Sequence, residues 1–245
     1  MTEVDNRLRA PGELRPPGRR RPLRASAGAL TLALLAGAAG CTGSASESSR
    51  GLSEPPSGLE FLSEEEVLAY RAERDEWCRN DPESPIPRQA LASFEGLEYY
   101  PFNPDLRFKV RLERYDDPVP QPLITTTGEV RPAVKLGWVG WSFRGQHHRL
   151  AVYQLRDLSA EVWGDMFLAF VDETTGRETY GAGRYLELEG GQGDWYVLDF
   201  NMAYYPYCAY GGSGYRCPKT PPENRLPFAV HAGERGGVDH ERPTG

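Results

Sequence analysis

Three carboxylates, Asp199, Glu223 and Glu234, fall in the part of the chain where polar and aromatic residues are most densely mixed. Two carboxyl groups on either side of a glycosidic bond divide the work of general acid and of base or nucleophile. These three are the set that could carry such hydrolysis. Arg184, Asn201, Tyr204, Asn224 and Arg225 accompany them. Rigid loops holding tyrosines, amides and fixed charges suit a carbohydrate or another small polar ligand. Arg184, Asp199, Asn201, Tyr204, Glu223, Asn224 and Arg225 therefore form a candidate ligand-binding set. The competing reading is an internal polar network, since Asp, Asn and Arg in irregular segments often satisfy loop backbone. Such a network would pair Asp199 with Arg184 and Glu223 with Arg225. The sequence leaves both readings open.

Other apparent motifs carry less. Gly211-Gly212-Ser213-Gly214-Tyr215 approaches a nucleophile elbow, but Tyr215 stands where the last glycine is required and no strand–turn–helix context surrounds it. His147 and His148 are adjacent, so on a strand they point to opposite faces, and a hairpin tip accounts for them better than a metal pair. Neither a glycine-rich phosphate loop nor a zinc-protease helix occurs. No cofactor and no metal is expected.

The four cysteines divide into three roles. Cys41 follows seven arginines and an uncharged apolar stretch, residues 25–40, that ends Ala38-Ala39-Gly40. A basic region, a short apolar core and small residues before a cleavage point make a secretory signal, and a Cys directly after them is the lipobox arrangement. Lipidation is expected on Cys41, which would leave the protein lipid-anchored on the outer face of the cell membrane. The apolar stretch is shorter than the ~20 residues a spanning helix needs; soluble export or an uncleaved anchor are the alternatives. Arg19-Arg20-Arg21-Pro22-Leu23-Arg24 also resembles a twin-arginine signal, with Pro22 where an aromatic residue is usual. Outside the membrane disulfides persist, and Cys208 with Cys217 is expected to form one, two free thiols or a metal pair being the alternatives. Cys78 is left unpaired and half-buried on a helix.

Charge narrows the partners. The whole chain carries −7 and the leader +4, so −11 remains from Cys41 onward. Nucleic acid and electrostatic docking on anionic lipid both need clustered Lys and Arg, so the lipid on Cys41 must do the membrane work. An envelope glycan or protein is the remaining class of partner.

The elements that would position these residues follow from periodicity. Residues 1–40 read as the signal, and residues 41–58 as a Ser/Gly/Pro tether reaching on the order of 20 Å. Residues 59–235 read as one β-rich domain, and residues 236–245 as a disordered tail. Ser63 and Glu66 form a capping box. Val67, Tyr70, Arg74 and Trp77 then recur at helical spacing up to Asp81-Pro82, giving Val67, Tyr70 and Trp77 a face to lay on a larger body. From Leu106 the period becomes two, with Phe108, Val110 and Leu112 alternating with charged residues. Further strands are expected over residues 121–127, 138–143, 149–155, 167–171, 177–188, 196–200 and 226–230. Hairpin turns are expected at Arg144-Gly145-Gln146, Asp172–Gly176 and Gly190–Asp194. No helix-length pattern separates the strands, which excludes parallel βαβ topology. The expected fold is mainly β, an antiparallel β-barrel or sandwich with one N-terminal helix.

Several ordered motifs resemble those of one bacterial family. Residues 179–186 (TYGAGRYL), Asp199-Phe200-Asn201 with Ala203-Tyr204, Pro206, Cys208-Ala209, Cys217-Pro218, residues 221–227 (PPENRLP) and Ala232-Gly233-Glu234 are similar to the family known as domain of unknown function 1684. Gly96–Pro101 (GLEYYP), Asn103-Pro104 and Tyr70–Asp75 (YRAERD) resemble its upstream motifs. The family brings no established activity. Its members often insert a forkhead-associated-like β module before the Tyr-Tyr-Pro motif, which the short Pro-rich link from Cys78 to Gly96 leaves no room for. The leading expectation is a membrane-tethered binding or structural module, and the rival a cell-envelope hydrolase using Asp199, Glu223 and Glu234.

Overall fold

Seven antiparallel strands form one curled sheet around which the rest of the chain is laid. A computed structural model describes residues 54–156, 163–212 and 214–236. The expected signal, Cys41, most of the expected tether, Ser213 and the expected tail after Gly236 lie outside the described residues. In chain order the strands are β1 (Arg107–Pro120), β2 (Leu123–Ile124), β3 (Val130–Arg131), β4 (Ala133–Phe143), β5 (Gln146–Arg156), β6 (Trp163–Phe170), β7 (Arg184–Glu187), β8 (Glu189–Gln192) and β9 (Trp195–Asp199). The sheet order is β7-β6-β5-β4-β1-β9-β8, and β2–β3 is a separate hairpin. The fold is mainly antiparallel β with a single α-helix among the described residues, as the patterning requires. Among the described residues no helix is long and apolar enough to cross a membrane.

Period-two patterning works because both faces of the central strands are covered. Along β5, Leu150 and Val152 enter one apolar cluster with Val110, Leu112, Phe170 and Phe200. Ala151, Tyr153 and Leu155 enter another with Phe167, Tyr185 and Tyr204. The β4–β5 turn is Arg144-Gly145, with φ of 51° and 75°; two left-handed residues make the type I′ turn that matches strand twist. His147 is exposed, while His148 is buried against Phe228 with ring centroids 4.8 Å apart, so the pair does split across the faces. Against β4, β1 is in register to Arg114–Gly137 and resumes at Val119–Lys135, so Tyr115–Pro118 bulge outward. Gly137 makes that approach possible: at φ 154°, a Cβ there would lie 2.0 Å from the Glu113 carbonyl oxygen.

After β9 the chain makes a 3-10 turn, Phe200–Met202, and crosses to the free edge of β7. Tyr185 N–H donates to the Tyr204 carbonyl at 2.8 Å and Tyr204 N–H to the Tyr185 carbonyl at 3.0 Å. The curl is thereby partly closed by irregular chain.

Three expected strands are corrected. Residues 121–127 contract to β2. Residues 177–183 are not strand, because Asp172 gathers the Thr174 and Thr175 hydroxyls at 2.8 and 2.9 Å and folds the segment into turns. Residues 226–230 form none either, since Pro227 has no N–H for a ladder. There Leu226 N–H reaches the Val171 carbonyl at 2.8 Å as an isolated contact.

Helix α1 (Glu64–Asn80) starts at the capping box: Glu66 N–H donates to Ser63 Oγ at 3.2 Å and Ser63 N–H to the Glu66 carboxylate at 2.8 Å. Its inner face holds Val67, Arg71, Arg74, Trp77 and Cys78, all buried. Tyr70 is only half-buried, and Cys78 is fully rather than half-buried. Two arginines on that face mean the helix docks through charge as well as apolar contact. Arg71 Nη1 donates to the Tyr100 carbonyl at 2.9 Å and Nη2 to the Asn201 carbonyl at 3.2 Å.

Candidate functional site

Most of the residues that looked like a ligand set serve the scaffold. Arg184, 1 % exposed, donates to Asp172 Oδ2 at 3.0 Å and to the carbonyls of Val230, Ala232 and Glu234 at 2.8, 2.5 and 3.1 Å. It clamps the last segment of the domain and does not pair with Asp199. Burial lowers its pKa, with Asp172 opposing. Asp199 Oδ1 accepts from Asn201 N–H and Nδ2, each at 2.9 Å, and Oδ2 lies 3.3 Å from Arg107 Nε. Burial raises the Asp199 pKa against the pull of these partners.

The two buried amides imitate a neighbouring strand. Asn201 Oδ1 accepts from Asn103 N–H and Nδ2 donates to the Asn103 carbonyl, both at 2.8 Å. Asn224 Oδ1 accepts from Ala151 N–H at 2.7 Å, and Nδ2 donates to the Ala151 and Ala169 carbonyls at 3.0 and 2.9 Å. It bridges β5 and β6 beyond their last paired residues. Arg225 is exposed and meets Val171 through its backbone rather than meeting Glu223. Glu223 Oε1 instead receives Tyr153 Oη at 2.6 Å, Lys135 Nζ at 3.0 Å and Gln121 Nε2 at 3.2 Å. Burial works against its ionisation, but these hydrogen bonds and one from its own backbone outweigh it and lower the pKa to about 2.

Each carboxylate thus has its own cation: Arg107 for Asp199, Lys135 for Glu223 and Arg74 for Glu234. Of the three, Glu234 alone lines the cleft that the N-terminal link makes with the C-terminal loops. The link leaves α1 at Asp81, where the Ser84 hydroxyl caps the Cys78 carbonyl. It makes a 3-10 turn at Leu91–Ser93 and returns to the helix through Leu97 N–H on Asp75 Oδ1 at 2.9 Å. Between Asp81 and Gly96 it contains no strand. Ile86, Ala90, Phe94 and Leu97 form one wall of a cleft of about 270 Å³. Tyr205, Tyr210 and Glu234 face them, and Glu98 and Arg235, 3.9 Å apart, sit at the exposed rim.

The floor is a buried ion pair. Arg74 Nη2 lies 2.9 Å from Glu234 Oε1, the side chains 4 % and 1 % exposed. Glu234 Oε2 accepts Tyr205 N–H at 2.8 Å and the Tyr210 hydroxyl. The Arg74 guanidinium also stacks on Tyr204 at 5.0 Å, whose hydroxyl donates to Glu187 at 3.1 Å. Burial works against the Arg74 charge, but Glu234 together with Tyr210, Tyr70 and Tyr99 outweighs it and holds the pKa well above its ordinary value. Burial, reinforced by Glu234, drives the Tyr210 phenol upward, so it stays a donor. Arg74 and Tyr210 are the residues that motif reasoning missed. A cation in the apolar stripe Val67, Tyr70, Arg74, Trp77 was the available signal.

Cys208 and Cys217 are free thiols here, so the expected bridge is not formed. Their sulfurs meet as hydrogen-bond partners, and Cys208 N–H donates to Cys217 Sγ at 3.2 Å. A second opening of about 330 Å³ is lined by Asn103, Asp105, Phe143, Arg144 and His231. His231 is half-exposed, with Nε2 3.7 Å from Glu178 Oε1. Among the described residues no three His, Cys, Asp or Glu side chains could hold a metal ion.

A curled antiparallel sheet carrying one helix on an arginine-glutamate pair defines a small β-domain with a cleft between its N-terminal link and its C-terminal loops. Residues 92–235 match the family described as Protein of unknown function (DUF1684), and the chain belongs to that family. It is similar, at 30 % identity and a TM-score of 0.54, to the solution NMR structure of an uncharacterized protein from Haloarcula marismortui. The match covers 72 % of this chain and 96 % of that one. No curated protein matches it.

Proposed function

We propose that this chain is a lipid-anchored binding module on the outer face of the cell membrane, taking a sugar unit of an envelope glycan into the cleft over Glu234. One observation carries the reading. Glu234 lines the opening, and its buried Oε1, ion-paired with Arg74, receives no aligned hydrogen bond among the described residues. A buried acceptor left in that condition favours a ligand that brings a donor. A sugar hydroxyl supplies one, and the apolar sugar face suits the Phe94, Tyr205 and Tyr210 rings beside it. The cleft's charges cancel in pairs, Arg74 with Glu234 and Arg235 with Glu98, which suits an uncharged ligand.

The leader and Cys41 support the anchor and the outward location, and that compartment favours the Cys208–Cys217 disulfide. The hydrolase reading draws no support from the geometry, because the carboxylates occupy three nests, each with its own cation. The test is titration of the mature domain with muropeptide and glycan fragments, followed by NMR shift perturbation. Ala90→Trp, which fills the cleft without touching the ion pair, must abolish the shifts at Phe94, Leu97 and Tyr210. Shifts confined to other faces, or unchanged in Ala90→Trp, would remove the cleft from consideration. For the anchor, a tagged fatty acid must label the wild-type protein and not Cys41→Ser.

A further inference from the structure

Cys208 and Cys217 are nucleophilic groups that the cleft does not use, and their surroundings are unequal. Cys217 is 6 % exposed and packs among Tyr185, Tyr204 and Ala169. Cys208 is half-buried, the less buried of the two, and is the second residue of the 3-10 turn Tyr207–Tyr210. Cys208 N–H donates to Cys217 Sγ at 3.2 Å, which sets the two residues side by side, and the Cys217 thiol with the Thr126 and Tyr180 hydroxyls favours the thiolate at Cys208. Donors gathered on one sulfur stabilise its thiolate, and an accessible thiolate beside a buried partner is the arrangement that exchanges disulfides.

We propose that Cys208 and Cys217 form a thiol–disulfide exchange site, with Cys208 as the attacking sulfur and Cys217 as the resolving one. This goes beyond the binding reading and does not rest on it. The co-reactant is a disulfide, either of low molecular weight or on an oxidising protein. The Cys208 thiolate attacks one of its sulfurs; the S–S bond breaks, a mixed disulfide forms and the other half leaves as a thiolate. Cys217 then loses its proton and attacks Cys208 Sγ, and the second half leaves as a thiolate. The domain's two thiols are oxidised to one disulfide while the incoming disulfide is reduced to two thiols.

The electrostatics agree in direction. Hydrogen bonding from Cys217 lowers the Cys208 pKa against its burial, and the same bond, with burial, raises that of Cys217. Cys78 is an internal control, fully buried, with burial pushing its thiol up to about 12. Closing the bridge fixes the turn that carries Tyr210 to the Cys217-Pro218 segment. That segment is already tied to the β2 hairpin by Thr126 N–H on the Cys217 carbonyl at 2.8 Å.

The experiment uses the reduced mature domain, oxidised glutathione as probe, and intact-mass and peptide analysis. The wild type must lose two hydrogens and yield the 208–217 bridge, and reduced glutathione must reverse this. Cys217→Ser must trap one glutathione on Cys208, whereas Cys208→Ser must take up none. Thr126→Val, which leaves both thiols in place, must slow Cys208 alkylation at neutral pH on the order of threefold to tenfold by removing a thiolate donor. Equal trapping on Cys217 in Cys208→Ser would overturn the proposal. So would a bridge that stays closed in every glutathione mixture, or a wild type that never forms one.

Discussion

Removing the Glu234 charge tests whether the helix is pinned by electrostatics. Glu234→Gln keeps the shape of the side chain but strands Arg74, 4 % exposed, without its anion. Breaking a buried pair by deleting one partner costs about 3–5 kcal/mol, because the remaining charge has nothing to replace its lost water. Glu234 also accepts from Tyr205 N–H and the Tyr210 hydroxyl, and an amide can present only its oxygen to them, so the expected loss is about 4 kcal/mol. For a domain of this size each kcal/mol lowers the Tm by about 2–4 °C, giving a drop of about 8–16 °C. Arg74→Met should cost about 3 kcal/mol by the same argument. The double variant should fall short of the sum by about 2 kcal/mol or more, since neither charge is then left alone. Urea unfolding followed by Trp fluorescence measures all four corners, with Trp77 packed 5.9 Å from Tyr207 beside the pair. A Glu234→Gln loss below about 1 kcal/mol, with additive single effects, would refute the pinning argument.

Three further outcomes are expected. Asn224→Ala strips three hydrogen bonds from fully buried backbone of Ala151 and Ala169 and should cost about 3 kcal/mol or more in urea unfolding; a loss under about 1 kcal/mol would mean that β5 and β6 close on each other unaided. Glu223 has its pKa depressed from 4.5 to about 2, so its contribution is complete above pH 4.5 and disappears as pH falls toward 2. Solvent screening of this part-exposed group limits that contribution to about 1 kcal/mol. Glu223→Gln should flatten the acid limb of stability against pH by that amount, and superimposable limbs would contradict it. Gly137→Ala places a methyl group against the Glu113 carbonyl and should cost about 3 kcal/mol by thermal unfolding; a near-neutral result would show that the β1 bulge can move.

Local chemistry carried much of the fold. The capping box starts α1, strict alternation marks β1, and the Arg144-Gly145 turn sets the β4–β5 register. Residues 226–230 show where alternation fails: the apolar pattern is present, but Pro227 lacks the hydrogen a strand needs. The site was less legible because ion pairs are made across the fold. Asp199–Arg184 and Glu223–Arg225 belong to the same stretch of sequence, yet the chain pairs Asp199 with Arg107, Glu223 with Lys135 and Arg184 with Asp172. Sheet order decides those partners, and sequence spacing does not contain it. Arg74 was visible as a cation in an apolar stripe, but its carboxylate stands 160 positions further along the chain.

The Arg184 clamp and the Arg74–Glu234 pair together set an order of events for a growing chain. Helix α1 emerges early, yet Glu234 belongs to the last described segment. Residues 230–234 close on β7 through three carbonyls, and Gly233 accepts the Tyr100 N–H at 2.9 Å. Contacts between the two ends of a chain form late and slow its folding. The domain therefore waits for its final residues, with the buried face of α1 exposed to any holding factor until they arrive. Truncation by as few as three residues from Gly236 would remove Glu234 and leave a finished sheet without its fastening.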